Sequence, residues 1–203
     1  MSGAGTPDFF YREAQRLGYV ARSAFKVACQ SLGPQKNGGA VVGIDLKKVK
    51  VPPLYCDSRV QTVCADVMKL PKNQVRALSP RQKGFSVVLS DMCPLVSGIT
   101  TRDAALSAEL GMQALGLAVG RAATAHLDEI RTDRLLNDSV CAADDNGILQ
   151  PGGHLVIKLL ESEDNKEFSR ICKPLFRKAS WLRPKATRSS SREIYLICQG
   201  LLS

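Results

Sequence analysis

Residues 149–161 read LQPGGHLVIKLLE. The Pro-Gly-Gly at 151–153 is turn chemistry, and the apolar run 154–160 behind it reads as a buried strand. Lys158 interrupts that run. Lysine is almost never fully buried without a partner. The bland reading is an edge-strand lysine whose stem lies on apolar surface while its ammonium reaches water. The functional reading is an amine whose pKa is lowered by desolvation and a neighbouring cation, so that it can serve as a base.

Working outward, AVVGIDL (40–46), RVQTVCAD (59–66) and FSVVLSD (85–91) have the same apolar, strand-like character. A long Ala/Leu-rich helix is expected from about 103 to about 130, and a shorter one over 165–175. Two further helices are expected at 8–18 and 22–32, the second ended by Gly33-Pro34. Strands are expected around 179–185 and at 193–198. Strands alternating with helices define an α/β fold with a mostly parallel, doubly wound sheet. The last two strands are joined only by KATRSSSR (185–192), too short for a crossover helix, so they should form an antiparallel hairpin at the sheet edge. Residues 131–146 are polar and irregular and read as an insertion in a single domain spanning 1–203.

The chain has 203 residues, 44% of them hydrophobic, which suffices for one α/β domain with a core. No apolar run approaches a membrane span. The net charge of +9 points to a polyanionic partner such as nucleic acid. The seven cysteines are scattered without CxxC spacing, as expected of reduced core thiols rather than disulfides or a zinc site. With only His126 and His154, far apart in sequence, no metal centre is expected. The N-terminal segment has no apolar signal core and carries Asp8 and Glu13. Cytosol is the default expectation, with a mitochondrion or plastid left open.

Three aspartates end strands. Asp45 closes VVGID and could accept hydrogen bonds from ribose hydroxyls, although strands often end in Asp for turn reasons. Asp66 repeats the pattern and could receive an adenine amine, or simply cap a helix before VMKL. Asp91 precedes Met92-Cys93-Pro94 at the carboxyl end of its strand, where ligands of open α/β sheets bind. Glu193 opens the last strand after a Ser/Arg run, and alone it reads as an edge carboxylate pairing with Arg192. Lys26 alone reads as a solvent-facing helix lysine.

Together, YVARSAFK, VVLSDMCP with its following Ser-Gly, LQPGGHLVIKLLE and SSSREIYLI resemble the FtsJ-like ribose 2′-O-methyltransferases, in the right order and across nearly the whole chain. The resemblance implies a Rossmann-like methyltransferase sheet and S-adenosyl-L-methionine as methyl donor. It implies an active-site tetrad of Lys26, Asp91, Lys158 and Glu193. Lys158 would accept the proton of the ribose 2′-hydroxyl, while Lys26 and Glu193 orient the nucleotide. Asp45, Asp66 and Asp91 would contact the donor. The implied substrate is a uridine of large-subunit ribosomal RNA, or the large subunit itself, acted on by a monomer with no membrane partner. Lys47, Lys48, Lys50, Arg183, Lys185, Arg188 and Arg192 could meet RNA phosphates.

One part of the family pattern has no counterpart. A strand and glycine-rich loop of the form VxDLGxxPGGW should follow ARSAFK, yet Phe25-Lys26 runs straight into Val27-Ala28-Cys29-Gln30. From Lys26 to Asp45 there are 45 − 26 = 19 steps, already used by a helix, a turn and one strand. A strand-helix-strand unit needs about 30 residues. The expected fold therefore lacks its first central strand and the loop that cradles the donor's methionine part. The chain reads as having lost an internal, exon-sized block near 26–27. Donor binding should then be weak or absent. The alternatives are a catalytically inactive RNA-binding remnant, an unstable splice variant, or a dinucleotide-dependent oxidoreductase, the last disfavoured by the lack of GxGxxG.

Overall fold

The computed structural model describes residues 38–49, 57–120, 146–184, 187 and 190–203. Residues 8–18 and 22–32, Lys26 and the greater part of the 131–146 insertion lie outside them. The chain divides into two compact units, residues 1–70 with 78–80, and residues 71–77 with 81–203.

In the first unit, β1 (Val41–Asp45) pairs in parallel with β2 (Val60–Cys64), from Val41 opposite Val60 to Asp45 opposite Cys64. The β-branched valines and isoleucine suit this pleated pairing. Arg59 ties down the entry to β2, bonding Asp57 at 2.8 Å and the carbonyl of Gly38 at 3.0 Å.

The second unit contains α1 (Lys72–Ala77), β3 (Phe85–Ser90), α2 (Thr100–Val119), β4 (Leu149–Leu160), α3 (Asn165–Cys172), β5 (Phe176–Leu182) and β6 (Glu193–Leu201). The short α1 is a helix that the sequence pattern does not announce. The sheet order is β3-β4-β6-β5. β3 and β4 are parallel; β6 lies between β4 and β5 and is antiparallel to both. The expected hairpin forms, with β5 at the edge. Because β6 returns inside it to pair with β4, two of the four pairings among the described residues are antiparallel, and the sheets are mixed rather than mostly parallel.

Several element boundaries differ from expectation: α3 ends at Cys172, β5 begins at Phe176, ahead of the strand expected around 179–185, and β6 runs on to Leu201. β4 begins at Leu149, before the Pro-Gly-Gly, because Leu149 pairs with Phe85 while His154 pairs with Val87. Five residues on β4 thus oppose two on β3, and the turn residues form an irregularity within the strand. α2 ends at Val119 rather than near 130. Gly120 closes it at φ 72°, and its N–H donates to the Gly116 carbonyl. Gly120 then bridges Asn146, so the two ends of the stretch 121–145 are held together. Gly147 sits against the end of the helix, where an added Cβ would lie 2.0 Å from the Ala118 carbonyl oxygen.

The core lies on one face of this sheet. α2 buries Ala104, Ser107, Gly111, Ala114, Leu115 and Ala118, the three-to-four spacing of a helix stripe. These pack with Leu155, Ile157 and Leu159 of β4, Leu196 and Cys198 of β6, and Phe168, Ile171 and Cys172 of α3. Gly111 permits the close approach, since a Cβ there would meet Leu159 at 2.7 Å. Alternation along the strands sends the other side chains to the opposite face: Val87 and Leu89, both exposed, with half-buried Val156, Lys158 and Tyr195.

Leu155 is wholly buried. Leu155→Ala should lose about 2–5 kcal/mol in urea unfolding. Leu95→Ala, at a side chain 96% exposed, should change stability by less than about 0.5 kcal/mol.

Candidate active site

The parallel register of β3 and β4 builds the site. Leu89 lies opposite Val156, so two residues further along, on the same face, Asp91 reaches Lys158. The Asp91 carboxylate is 2.8 Å from the Lys158 ammonium. The antiparallel register with β6 then places Tyr195 directly opposite Lys158 and Glu193 opposite Leu160. Glu193 is therefore the diagonal neighbour of Lys158 on that face. Asp91, Lys158 and Glu193, far apart in sequence, are brought together at the carboxyl end of β4.

The amine carries the electrostatics. Only 11% of the Lys158 side chain is exposed, against 45% of Asp91. Burial is the largest single influence on Lys158 and pulls its pKa down. The hydrogen bond and charge of Asp91, joined by the charge of Glu193, together outweigh it and hold the pKa above its ordinary value. The expected lowering is thus corrected: paired with Asp91 and neighboured by Glu193, Lys158 is an ammonium at neutral pH. Burial also raises the pKa of the Tyr195 hydroxyl, with Asp91 adding to the effect and Lys158 opposing it. The Cys93 thiol is raised chiefly by burial, against the pull of Lys158. Both groups stay protonated at neutral pH.

The loop between β3 and α2 is anchored by Asp103, which is 2% exposed. Its carboxylate accepts from the Ser97 hydroxyl at 2.7 Å, the Ser97 amide at 2.9 Å and the Gly98 amide at 3.2 Å. These bonds, led by that of the Ser97 hydroxyl, hold its pKa below the usual carboxylate range. Sequence reasoning passed over Asp103 as an ordinary helix residue. The signal was an acidic residue in the first turn of a helix behind Ser-Gly.

The arginines near Glu193 also bind protein groups. Arg183 pairs with Glu161 at 2.7 Å and donates to the Ser191 carbonyl. Arg192 donates to the carbonyls of Glu161 and Thr100. Both bind protein groups that fix the approach to β6. Lys50, Lys185 and Arg188 lie outside the described residues.

In the first unit, Asp45 accepts from the Lys47 amide at 2.8 Å and Asp66 from the Met68 amide at 3.0 Å. Each carboxylate caps its own turn, as anticipated for Asp45, whereas the helix expected behind Asp66 is a turn over 67–69. Asp66 also meets Lys69 at 3.8 Å. His154 accepts from the Gly200 amide at 3.1 Å. Among the described residues no cluster of metal-ligating side chains occurs, and no helix is long and apolar enough to cross a membrane.

A carboxylate-bound amine at the carboxyl end of a parallel strand pair, beside a reversed strand, places the chain among α/β enzymes that act on a substrate at the sheet's carboxyl edge. The model of the FtsJ-like methyltransferases matches residues 20–201, and the chain belongs to that family. A ribosomal RNA large subunit methyltransferase E from Syntrophobacter fumaroxidans is 33% identical, over 89% of this chain and 74% of the relative. The protein of the same name from Desulfosudis oleivorans is 27% identical over 96% and 91%. Among solved structures, a ribosomal RNA methyltransferase from Plasmodium falciparum shares the fold, with a TM-score of 0.57 at 20% identity over 87% of this chain and 81% of that one.

Asp91→Ala should cost about 1–3 kcal/mol at pH 7 in urea unfolding, by stripping a mostly buried ammonium of its partner. The folded amine holds its proton above the ordinary value of 10.5. Its contribution is therefore complete below about pH 10 and lost as pH rises through the folded value. Lys158→Met should remove that alkaline loss, seen as a flatter stability profile between about pH 9.5 and 11.5.

Thiol alkylation followed by peptide mapping gives a separate check. At pH 8 Cys64 should react before Cys93, which is also exposed but whose thiol pKa is raised, and buried Cys172 and Cys198 only on unfolding.

Proposed function

We propose that the Asp91–Lys158–Glu193 cluster is a site for methylating the 2′-hydroxyl of a ribose, a uridine in large-subunit ribosomal RNA, with donor binding impaired in this chain. The observation that carries the reading is the 2.8 Å contact between Asp91 and a mostly buried Lys158. Family membership supports the reaction class, and the printed names of the relatives support the substrate. A ribose hydroxyl becomes nucleophilic only as a base draws off its proton. Lys158 is the group placed to accept it, but first it must lose the proton that Asp91 and Glu193 hold on it. A further positive charge beside the cluster would favour that loss, and Lys26 is the residue we assign to it. Glu193 and Tyr195 border the amine and would orient the nucleotide. The surplus of basic residues supports affinity for RNA phosphates.

S-adenosyl-L-methionine would supply the methyl group. The carboxylates for its adenosine part are present in Asp45 and Asp66, each with one oxygen engaged in its own turn. The fit fails at the methionine end, because the glycine-rich loop has no counterpart between Lys26 and Asp45. Two observations support a missing block. The alignment with the Desulfosudis relative runs over 224 residues although this chain has 203, so that relative carries residues absent here. The Ser90 hydroxyl, at the carboxyl end of β3, is buried without a hydrogen-bond partner among the described residues, the kind of vacant bond that native packing rarely leaves.

Calorimetric titration with S-adenosyl-L-methionine should show no micromolar binding; micromolar affinity would overturn the impairment. Grafting the strand and glycine loop of the Desulfosudis relative between Lys26 and Val27 should bring methyl transfer to large-subunit RNA. Lys158→Ala in the grafted chain should then reduce the rate at least about 100-fold. A grafted chain that binds donor but leaves the RNA unmethylated would sink the substrate assignment.

A further inference from the structure

We propose that Asp103 is a positioning residue for the Asp91–Lys158 pair, acting by clamping the far end of the loop that Asp91 begins. Residues 91–99 run from the carboxyl end of β3 to the start of α2 without regular structure. Met92 packs against the core at the near end of this loop. At the far end the anchor is Asp103, with three hydrogen bonds to Ser97 and Gly98. Between the anchors, Leu95 is 96% and Val96 69% exposed, so apolar burial does not hold the middle of the loop. Gly98 stands at φ 85°, a turn conformation that suits glycine and lets its amide face the carboxylate. The Ser97 hydroxyl also accepts from the Ile99 amide at 3.3 Å, so one side chain links the clamp to the helix start.

A carboxylate this buried is tolerated because those donors compensate it. Removing it releases the loop rather than opening a cavity in the core. Asp91 itself is 45% exposed and belongs to no strand, so its hold on Lys158 depends on where the loop keeps its backbone. The Asp103 carboxylate is bound to Ser97 and Gly98, at the far end of the loop from Asp91, so the proposed effect on Lys158 runs through the loop.

The significance of this clamp rests on reading Asp91 and Lys158 as the reacting pair, but its test reads the pair itself and needs no methyl transfer. The full-length protein is acetylated with trace acetic anhydride at pH 8. Incorporation at Lys158 is measured by mass spectrometry relative to Lys69, an exposed lysine with 85% of its side chain accessible. Asp103→Asn should loosen Asp91 from the amine and raise relative labelling of Lys158. A drop of half a pKa unit multiplies the neutral amine fraction about threefold. Ser97→Ala retains the Asp103 charge, removes one bond of the three and lies at an exposed position. It should shift labelling in the same direction by less, and it decides the matter if Asp103→Asn does not fold. Asp91→Asn sets the upper limit of the effect. Unchanged Lys158 labelling in a variant with native circular dichroism, even one with a lowered Tm, would overturn the proposal and leave Asp103 a purely structural residue. If the clamp shifts labelling while the grafted enzyme fails to methylate RNA, the functional reading falls and the clamp stands.

Discussion

An ammonium set within a strand whose other face is wholly buried is the constraint on which the rest of the site depends. β4 buries Leu155, Ile157 and Leu159 on one face under α2 and α3, and Lys158 occupies the other face between them. A mostly buried amine must either lose its charge or find carboxylates. Here the sheet supplies them through register: the parallel neighbour delivers Asp91 and the antiparallel neighbour delivers Glu193. Slipping either pairing by one residue would turn these groups to the helix-covered face. The mixed character of the sheet is thus tied to the chemistry of the site.

This arrangement leaves the amine charged, which sets what the site needs. Asp91 and Glu193 keep Lys158 protonated more strongly than burial deprotonates it. Such a cluster is an organised cation until positive charge arrives beside it. The Ser90 hydroxyl, partnerless among the described residues, and the exposed Val87 and Leu89 all belong to β3. In a sheet built of parallel strands, such a strand is ordinarily covered on both faces.

Much of the fold was legible. Every described strand lies where an apolar run bounded by turn residues predicts it, because burial selects for such runs wherever a strand is covered. The boundaries that moved did so for tertiary reasons. α2 stops at Gly120 because that residue takes a positive φ and bridges Asn146, although the Ala-rich sequence beyond it favours helix. β4 extends through Pro151 because β3 pairs with it on both sides of the irregularity. α1 is too short to show a periodic stripe. In the site, Asp91, Lys158 and Glu193 were recognisable from their surroundings, whereas Asp103 and Tyr195 were not. An acidic residue in a first helical turn and a tyrosine in a strand look ordinary until their neighbours are known.

The sequence by itself determined the elements and the family motifs, because these depend on local composition. It also named the amine and the acids. Only the tertiary structure decided that Lys158 is held as an ammonium, that Arg183 and Arg192 bond protein carbonyls and Glu161, and that Asp103 grips the loop beginning at Asp91. Charge state and partnership depend on which groups converge within a few ångströms and how much water is left among them. Strand register and loop closure set those distances, and both bring together residues that are remote in the chain.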